Sequence, residues 1–519
     1  MNGHIVAVDI GTTHCRSLVY DFDGKVLARS EQSYQTDYTS QDAAEQDVRS
    51  VSAAVDHTVA DSIAQSGLSR DSILGVVLCT VFHSLIGVDE RDEPVTPLIT
   101  WADTRSVTHS ERLQKELDSR AVRQRTGCSI HPMYFPSRIA WLRAEMPDVF
   151  SRIRRLISIK EYVIRQWTGE YVVDLSVASG TGLLNLEAME WDTELMTHLG
   201  LPEEMLSPLV EPVTALPQIK ADVRTRLGLP DHAVLVVGAA DGALAHLGTV
   251  GVSRTGVSLT VGTGAAIRRL TDKPAHTSKG ETWCYYLAEK KWLHGTLVQD
   301  AGASFSWLVK EFFEEEVSRA RTQGLDPYHH INEILSSTPP GANGLLFLPF
   351  LGGERSPNLN PRLRGAVFGI GFGTRRTDLV RALVEGIAYR LHTAFSCLVN
   401  DEEGVRIVVT GGFVSSPEWV QTTCDFFGRE MYTSWQGDAS AWGAALIGML
   451  SLGHLSSIEE VDKYVHVAGV NKPRPENLSF YRAMCRNYAS VYRSLVETQG
   501  KCGAQPNGGY RVARPGILD

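Results

Sequence analysis

The sequence predicts an α/β protein made of two domains of similar design. Its 519 residues are too many for one ordinary hydrophobic core, since single domains usually hold about 100–250 residues. Apolar strand patterns and helical patterns alternate along the chain. An apolar strand followed by a Gly-Thr turn occurs twice, at residues 8–13 and 259–264. We interpret this as a weak internal duplication with a boundary near residues 240–250.

Local patterns define the elements of the first half. An apolar strand at residues 5–10 precedes a Gly-Thr-Thr turn, and the Asp23-Gly24 pair is typical of a tight hairpin between two further strands. Apolar residues with helical spacing predict a helix over residues 47–65. Strands are expected within residues 73–80 and 84–100, and helical stretches over 108–167.

The strand pattern restarts in the second half. Apolar segments broken by Gly-rich turns occupy residues 233–248, 255–270 and 282–297. Helical patterns follow at residues 417–430, 440–452 and 481–496. The Gly/Pro-rich end beyond them is predicted to be disordered.

Composition excludes several classes of function. The formal net charge of −10 argues against a nucleic-acid surface, because phosphate contacts need clustered Lys and Arg. No apolar run reaches the ~18–20 residues of a membrane span. The eight cysteines form no C-x-x-C pair, which argues against a zinc site or a disulfide framework. The N-terminus is typical of a first strand rather than a signal peptide, so we expect a cytoplasmic enzyme.

Two turns have the composition of phosphate-binding loops. In Asp9-Ile10-Gly11-Thr12-Thr13 a strand-end carboxylate, suited to Mg²⁺, precedes a glycine that allows backbone N–H groups near a phosphate. Gly262-Thr263-Gly264 forms a second such turn. Each could be only a tight turn, but a matched pair, one in each half, favours a nucleotide held between two domains. The chain has no G-x-x-x-x-G-K-[ST] run, so a P-loop enzyme is not indicated.

A second carboxylate, Asp241, ends the first apolar strand of the second half of the chain. An acid in this position can be the N-cap of a following helix. It can equally be the base that takes the proton of an alcohol during phosphoryl transfer. The sequence pattern leaves both interpretations open.

These motifs resemble those of the FGGY carbohydrate kinases, the family of glycerol kinase, xylulokinase, ribulokinase and the larger gluconokinases. The resemblance also covers Gly365-Ala-Val-Phe-Gly-Ile with Asp378-Leu-Val-Arg-Ala-Leu-Val-Glu385-Gly386, and the adenosine-type Thr410-Gly411-Gly412-Phe413. Together the motifs extend from residue 5 to about 450. One position departs from the family pattern, because Arg138 stands where the N-terminal signature has Lys; the positive charge is retained.

The resemblance implies two actin-like (ribonuclease H-like) domains with a nucleotide cleft between them. The expected ranges are 1–245 for the N-terminal domain, 246–455 for the C-terminal domain and 456–519 for a helical extension with a flexible tail. It implies ATP and Mg²⁺ as cosubstrates, Asp241 as catalytic base and Asp9 as metal ligand. The implied nucleotide-binding residues are Gly11, Thr12, Thr13, Gly262, Thr263, Gly264, Gly302, Gly411, Gly412, Phe413 and Ser416.

Four polar segments of the first half resemble the acceptor-binding parts of this family. The predicted substrate-binding residues in them are His83, Trp101, Asp103, Arg105, His131 and Lys160, together with Asp241. A polyol needs such a set, because a buried hydroxyl without a hydrogen-bond partner costs about 1–3 kcal/mol. Each also has a structural alternative: the tryptophan and the two histidines could belong to the core, and the Asp-Arg pair could be a surface pair.

Segments 100–106, 126–133, 159–162, 171–174 and 176–179 resemble the gluconate branch of the family. A sugar-acid acceptor also needs cations, which His83, Arg105, His131 and Lys160 offer. The prediction is therefore an ATP-dependent kinase of D-gluconate, with D-xylulose as the alternative acceptor.

An actin-like regulatory ATPase, or a kinase that has lost catalysis, would explain the phosphate loops but not the acceptor segments. A homodimer is left open.

Overall fold

The computed structural model describes residues 3–40, 42–277, 282–324, 329–358, 360, 362–399, 402–435 and 437–502. The C-terminal helix continues to Cys502, beyond the predicted end at residue 496, and the rest of the predicted disordered tail lies outside these residues. Unit 1 of the structure comprises Met1–Arg254, Leu270–His294 and Gln436–His466, and unit 2 comprises Thr255–Arg269, Gly295–Trp435 and Val467–Asp519. The domain ranges 1–245, 246–455 and 456–519 stay a prediction.

The strands of the described residues are β1 (His4–Ile10), β2 (His14–Asp21), β3 (Val26–Ser33), β4 (Glu45–Gln46), β5 (Ile73–Thr80), β6 (Ile86–Val88), β7 (Leu98–Ile99), β8 (Arg155–Ile157), β9 (Val173–Asp174), β10 (Leu184–Asn185), β11 (Glu190–Trp191), β12 (Leu209–Val210), β13 (Ala215–Leu216), β14 (Val234–Val236), β15 (Gly256–Val261), β16 (Ala265–Thr271), β17 (Trp283–Ala288), β18 (Lys291–Val298), β19 (Leu346–Leu348), β20 (Ala366–Phe368), β21 (Arg406–Thr410), β22 (Met431–Ser434) and β23 (Val467–Asn471).

The α-helices are α1 (Val48–Ser66), α2 (Val107–Glu116), α3 (Ser119–Thr126), α4 (Phe135–Glu145), α5 (Pro147–Phe150), α6 (Ile159–Thr168), α7 (Leu175–Ser179), α8 (Thr193–Leu199), α9 (Ala221–Leu227), α10 (Asp241–Val250), α11 (Ala301–Thr322), α12 (His329–Ser337), α13 (Arg376–Phe395), α14 (Pro417–Phe427), α15 (Ala439–Ser451) and α16 (Pro475–Cys502).

The main sheet of unit 1 has the strand order β13-β14-β5-β1-β2-β3. Strands β1 and β5 are parallel, as are β5 and β14, whereas β1, β2 and β3 form an antiparallel meander with the predicted turn at Asp23-Gly24. Ile10 pairs with Thr80 and Thr80 with Ala240. Because the carboxyl ends of parallel strands meet at one edge of a sheet, Asp9 and Asp241 lie at the same edge.

Strand β1 is buried on both faces, as its continuous apolar run predicts. Ile5 and Ala7 belong to the core shared with α10 and α15, and Val6, Val8 and Ile10 belong to the core shared with α1. Successive side chains of a strand point to opposite faces, so this one strand joins two helical layers.

Helices α10 and α15 pack closely because glycines lie at their contact. A Cβ at Gly443 would lie 2.0 Å from the carbonyl oxygen of Leu244, and one at Gly248 would lie 2.2 Å from that of Ala439. The contact brings the first turn of α15 towards β1. The helix predicted at residues 47–65 is confirmed as α1, and the helical region 108–167 also contains the short strand β8.

The sheet of unit 2 contains strands in the order β18-β16-β15-β21-β22-β23. Strands β15 and β16 form an antiparallel hairpin, and β15 is parallel to β21. This repeats the arrangement of β1, β2 and β5 in unit 1, as the predicted duplication requires. Helices α11, α13 and α14 cover the sheet with a single apolar core. Across the described part of the chain, no helix is long and apolar enough to cross a membrane.

Candidate active site

Two carboxylates lie at the carboxyl edge of the unit 1 sheet. Asp9, near the end of β1, accepts hydrogen bonds from the Ser440 hydroxyl at 2.7 Å and from the Cys79 thiol at 3.2 Å. Asp241 is the first residue of α10, and its carboxylate accepts the Gly242 N–H at 2.6 Å. The N-cap position belongs to Ala240, so Asp241 is not the N-cap residue that the sequence left as an alternative.

The thiol of Cys79 experiences the charge of both carboxylates. Burial raises the pKa of Cys79 well above its ordinary value, and the charges of Asp9 and Asp241 raise it further. The thiol therefore stays protonated and acts as a donor to Asp9. The sequence pattern singled out neither Cys79 nor Ser440, although it predicted the helix that begins near Ser440.

The Gly11-Thr12-Thr13 turn is held by polar side chains of its own unit. Tyr34 donates its hydroxyl to the carbonyl oxygen of Gly11 at 2.6 Å. The indole Nε1 of Trp101 donates to the hydroxyl of Thr12 at 3.1 Å. One predicted acceptor residue thus contacts the predicted phosphate loop directly.

Both predicted histidines have backbone partners. His83 has a φ of 67°, which is uncommon for a residue other than glycine, and its Nδ1–H donates to the carbonyl oxygen of Gly180 at 2.6 Å. Its ring contacts that of Tyr134 edge-on, with 5.1 Å between the centroids. His131 accepts the N–H of Met133 at Nδ1. A backbone in the left-handed region marks His83 as a candidate functional residue.

Trp101, Asp103 and Arg105 form a partly exposed turn rather than a core cluster or a surface pair. Trp101 is 45% exposed, whereas Asp103 is buried. The Arg105 guanidinium donates to Asp103 at 2.9 Å, contacts Glu45, and lies 4.5 Å from the ring centroid of Trp141. Arg105 is therefore already neutralised by two carboxylates of the chain.

Lys160 also has an internal counter-ion. Its Nζ lies 2.5 Å from the Asp174 carboxylate, and both side chains are fully buried. Asp174 additionally accepts the N–H of Val177 as the N-cap residue of α7. The ion pair thus fixes the start of α6 against the start of α7.

In unit 2 the Gly262-Thr263-Gly264 turn joins β15 and β16 and contacts the first turn of α11. The N–H of Gly302 donates to the carbonyl oxygen of Gly262 at 2.9 Å, and that of Ala303 to Thr263 at 2.9 Å. A Cβ at position 302 would lie 2.2 Å from the Gly262 oxygen. Only glycine at position 302 allows the helix to approach this closely.

The predicted adenosine segment lies beside that turn. Thr260 and Thr410 pair at the ends of β15 and β21, and Gly411, with a φ of 95°, would place a Cβ 2.3 Å from the carbonyl oxygen of Val261. A short 3₁₀ turn, Gly412–Ser415, contains the buried Phe413. Ser416 precedes α14 and donates its hydroxyl to Asn332 at 2.6 Å. All predicted nucleotide residues of unit 2 thus lie around one edge of its sheet.

The side chains present fit a Mg²⁺ ion that is shared with a nucleotide. Among the described residues, no group of three or more His, Cys, Asp or Glu side chains could hold a metal ion. Magnesium in nucleotide enzymes typically takes one or two carboxylates, with water and phosphate oxygens as its other ligands. One oxygen of Asp9 accepts the Ser440 hydroxyl and the other the Cys79 thiol, which leaves a lone pair on each for a cation.

Two family models together cover most of the chain. Residues 4–248 match the N-terminal domain, and residues 257–452 the C-terminal domain, of the FGGY family of carbohydrate kinases. The protein is therefore a carbohydrate kinase, a phosphotransferase that uses ATP as a substrate and acts on a sugar hydroxyl. It belongs to the FGGY family, whose two-domain architecture is of the actin-like ATPase type.

Full-length relatives support the same assignment. The gluconokinase of Bacillus subtilis is 34% identical over 96% of this chain and 97% of its own length. The xylulose kinase of Lactococcus lactis is 26% identical over 95% of this chain and 97% of its own length. A solved gluconate kinase from Lactobacillus acidophilus superimposes with a TM-score of 0.88 at 29% identity, covering 97% of this chain and 100% of that one. The predicted family, α/β fold and kinase class are confirmed, and the roles of single residues stay predictions.

Proposed function

We propose that the acceptor is a sugar acid, D-gluconate, and that the product is 6-phosphogluconate. One observation carries this proposal: two gluconokinases are 34% and 32% identical to this chain over nearly its full length, whereas the xylulose kinase of Lactococcus lactis is 26% identical. Because both groups are compared over nearly their whole length, a difference in aligned region does not explain the margin.

In the proposed reaction Asp241 is the general base. Its carboxylate takes the proton of the acceptor hydroxyl while the hydroxyl oxygen bonds to the γ-phosphorus and ADP leaves with the electrons of the broken P–O bond. Its position at the start of α10, on the sheet edge that also carries Asp9, supports this role. Asp9 would hold Mg²⁺, whose charge offsets that of the nucleotide phosphates.

The two histidines are our first candidates for contact with the gluconate carboxylate. Arg105 and Lys160 each contact carboxylates of the chain itself, so their charge is already offset. His83 and His131 belong to neighbouring polar segments, and both rings contact that of Tyr134. We therefore assign Arg105 and Lys160 to positioning and the histidines to recognition.

D-Xylulose is the second candidate acceptor. It is favoured by a solved xylulose kinase from Lactobacillus acidophilus, which superimposes with a TM-score of 0.90 at 28% identity over 96% of this chain. We propose the cytoplasm as the location for either acceptor, because ATP is supplied there.

ADP release measured with gluconate, xylulose and no acceptor tests the proposal. We expect kcat/KM to be highest for gluconate. Replacement of His83 or His131, whichever recognises the carboxylate, by alanine should lower kcat/KM for gluconate only, by roughly 10- to 150-fold, as for a lost charge-assisted contact. His198→Ala is the matched control, since His198 is paired with Glu116 elsewhere on unit 1. A wild-type preference for xylulose would overturn the gluconate assignment, and ADP release without any acceptor would favour a regulatory ATPase.

A further inference from the structure

Arg138 is the fourth residue of helix α4, is fully buried, and contacts three separate segments of the chain. Its Nε donates to the carbonyl oxygen of Pro132 at 3.2 Å. Its Nη1 donates to the carbonyl oxygen of His83 and, at 3.4 Å, to that of Ile99, while Nη2 donates to Thr100. The guanidinium therefore bonds only backbone oxygens.

Those oxygens belong to the segments that carry the predicted acceptor residues, or lie one or two residues before them. We call residues 82–84, 101–105 and 127–132 the acceptor loops. Pro132 follows His131 directly, and Ile99 and Thr100 precede Trp101, so each contact lies within two residues of a predicted acceptor side chain. The unusual backbone at His83, with its φ of 67°, is held by the same guanidinium.

A guanidinium is suited to this task in a way that a lysine ammonium is not. Its N–H groups form a planar, rigid fork, whereas an ammonium is a compact point charge on a flexible stem. Burial lowers the pKa of Arg138 to about 10, so the group stays charged at neutral pH. A buried cation that bonds only carbonyl oxygens is costly to maintain, and here one rigid group links the backbone of all three segments.

We propose that Arg138 is a positioning residue that holds the three acceptor loops in register and so sets the affinity for the acceptor, without touching substrate. The inference rests on the proposed function only in placing the acceptor at these loops. A misplacement of about 1 Å can lower the rate of an enzyme by a factor of about 10². We therefore expect loss of the guanidinium fork to impair acceptor binding more than it impairs the nucleotide residues of unit 2.

Kinetics of Arg138→Lys test this role. We expect KM for the best wild-type acceptor to rise about 10- to 100-fold, with a smaller change in kcat and no change in KM for ATP. Arg143→Lys is the matched control, because Arg143 lies on the same helix and donates to the carbonyl oxygens of Leu199 and Gly200, away from the acceptor loops. A lower unfolding midpoint with unchanged acceptor KM, or equal effects of both variants, would overturn the proposal.

Ser106→Ala provides a second readout if Arg138→Lys does not fold. The Ser106 hydroxyl donates to the same Pro132 oxygen at 3.0 Å, so its removal loosens one loop while the arginine stays in place. We expect acceptor KM to rise roughly 2- to 10-fold, as for one lost hydrogen bond, and an unchanged value would contradict the proposal. Failure of the gluconate assignment can be told apart from failure of the Arg138 proposal. The first would appear in the acceptor preference of the wild type, and the second in the acceptor KM of these variants.

Discussion

Two carboxylates at one sheet edge of unit 1 differ in their surroundings. Asp9 accepts a serine hydroxyl and a thiol, both from residues distant in sequence. Asp241 lies in the first turn of α10, where the helix dipole favours a negative charge. An ionised carboxylate is what a base for an alcohol requires, since the hydroxyl proton is released only late in phosphoryl transfer.

Asp241→Asn should fold normally and lose turnover. Asparagine preserves the shape of the side chain but cannot take a proton. Because loss of a general base typically lowers kcat, we expect kcat to fall by about 10²- to 10⁴-fold. Acceptor binding, measured by calorimetry, should persist. Asp222→Asn, which changes an acid in the first turn of α9, should have wild-type kinetics. A kcat for the Asp241 variant within about threefold of wild type would exclude the base role.

Lys160 illustrates how burial changes the interpretation of a residue. By sequence it is a cation beside other polar acceptor residues, whereas in the structure it is a fully buried partner of Asp174. Breaking a buried ion pair leaves an uncompensated charge and typically costs about 3–5 kcal/mol. Loss of activity on substitution of Lys160 is therefore a weak argument for substrate contact.

At the scale of elements, the turn of unit 2 that is predicted to bind phosphate contacts the start of helix α11. Two N–H groups of this helix donate to the carbonyl oxygens of the Gly262-Thr263 turn. Asp300, at the N-cap position of α11, is itself held in place, because its carboxylate accepts the N–H of Gly352 and the guanidinium of Arg390, each at 2.6 Å. The turn therefore has the geometry that α11 imposes on it.

Gly302→Ala should weaken nucleotide binding selectively. The new methyl group would lie 2.2 Å from a backbone oxygen, so the turn and the helix must move apart. A misplacement of about 1 Å can lower the rate by about 10²-fold. We expect kcat/KM for ATP to fall by up to about that factor, while the affinity for the acceptor stays constant. Gly371→Ala, at a site with no atom within 4 Å, is the control. An equal loss for both substrates would indicate general destabilisation instead.

At the scale of the whole molecule, stability should depend on pH through Glu161. This carboxyl group is buried at the start of α6, where it accepts the Ser158 N–H and the Ser207 hydroxyl, both at 2.6 Å. Burial raises its pKa to about 7, although these hydrogen bonds lower it. Between its ordinary value of 4.5 and about 7, the folded protein holds a proton that the unfolded chain has lost.

The stability of the wild type should therefore decrease relative to Glu161→Gln as pH rises from about 4.5 to 7, and then level off. At about 1.36 kcal/mol per pKa unit, the change in the difference is roughly 3 kcal/mol. Urea unfolding of both proteins at several pH values measures it. A difference that stays constant with pH would show that Glu161 titrates alike in the folded and unfolded states.

The class of protein and most of its elements could be predicted from the sequence, because they depend on short-range patterns. Strand and helix periodicity predicted β1, α1 and α15, and residue spacing predicted the positions of the turns at Gly11 and Gly262. The pairing of side chains could not be predicted in this way. The contacts of Ser440 with Asp9, and of Arg138 with His83 and Thr100, join residues that are far apart in sequence. The pair of Lys160 and Asp174 joins the starts of two different helices.

The sequence by itself therefore determined the family, the repeated strand-and-turn design and the inventory of polar residues at the site. The tertiary structure decided which of those residues are already neutralised inside the protein. Burial and charge compensation depend on which segments pack together, and no local pattern records that. In the sequence, Arg105 and Lys160 are candidate cations on the same footing as the two histidines, whereas in the structure both are held by carboxylates of the chain. The proposed positioning role of Arg138 likewise depends on contacts that only the tertiary structure creates.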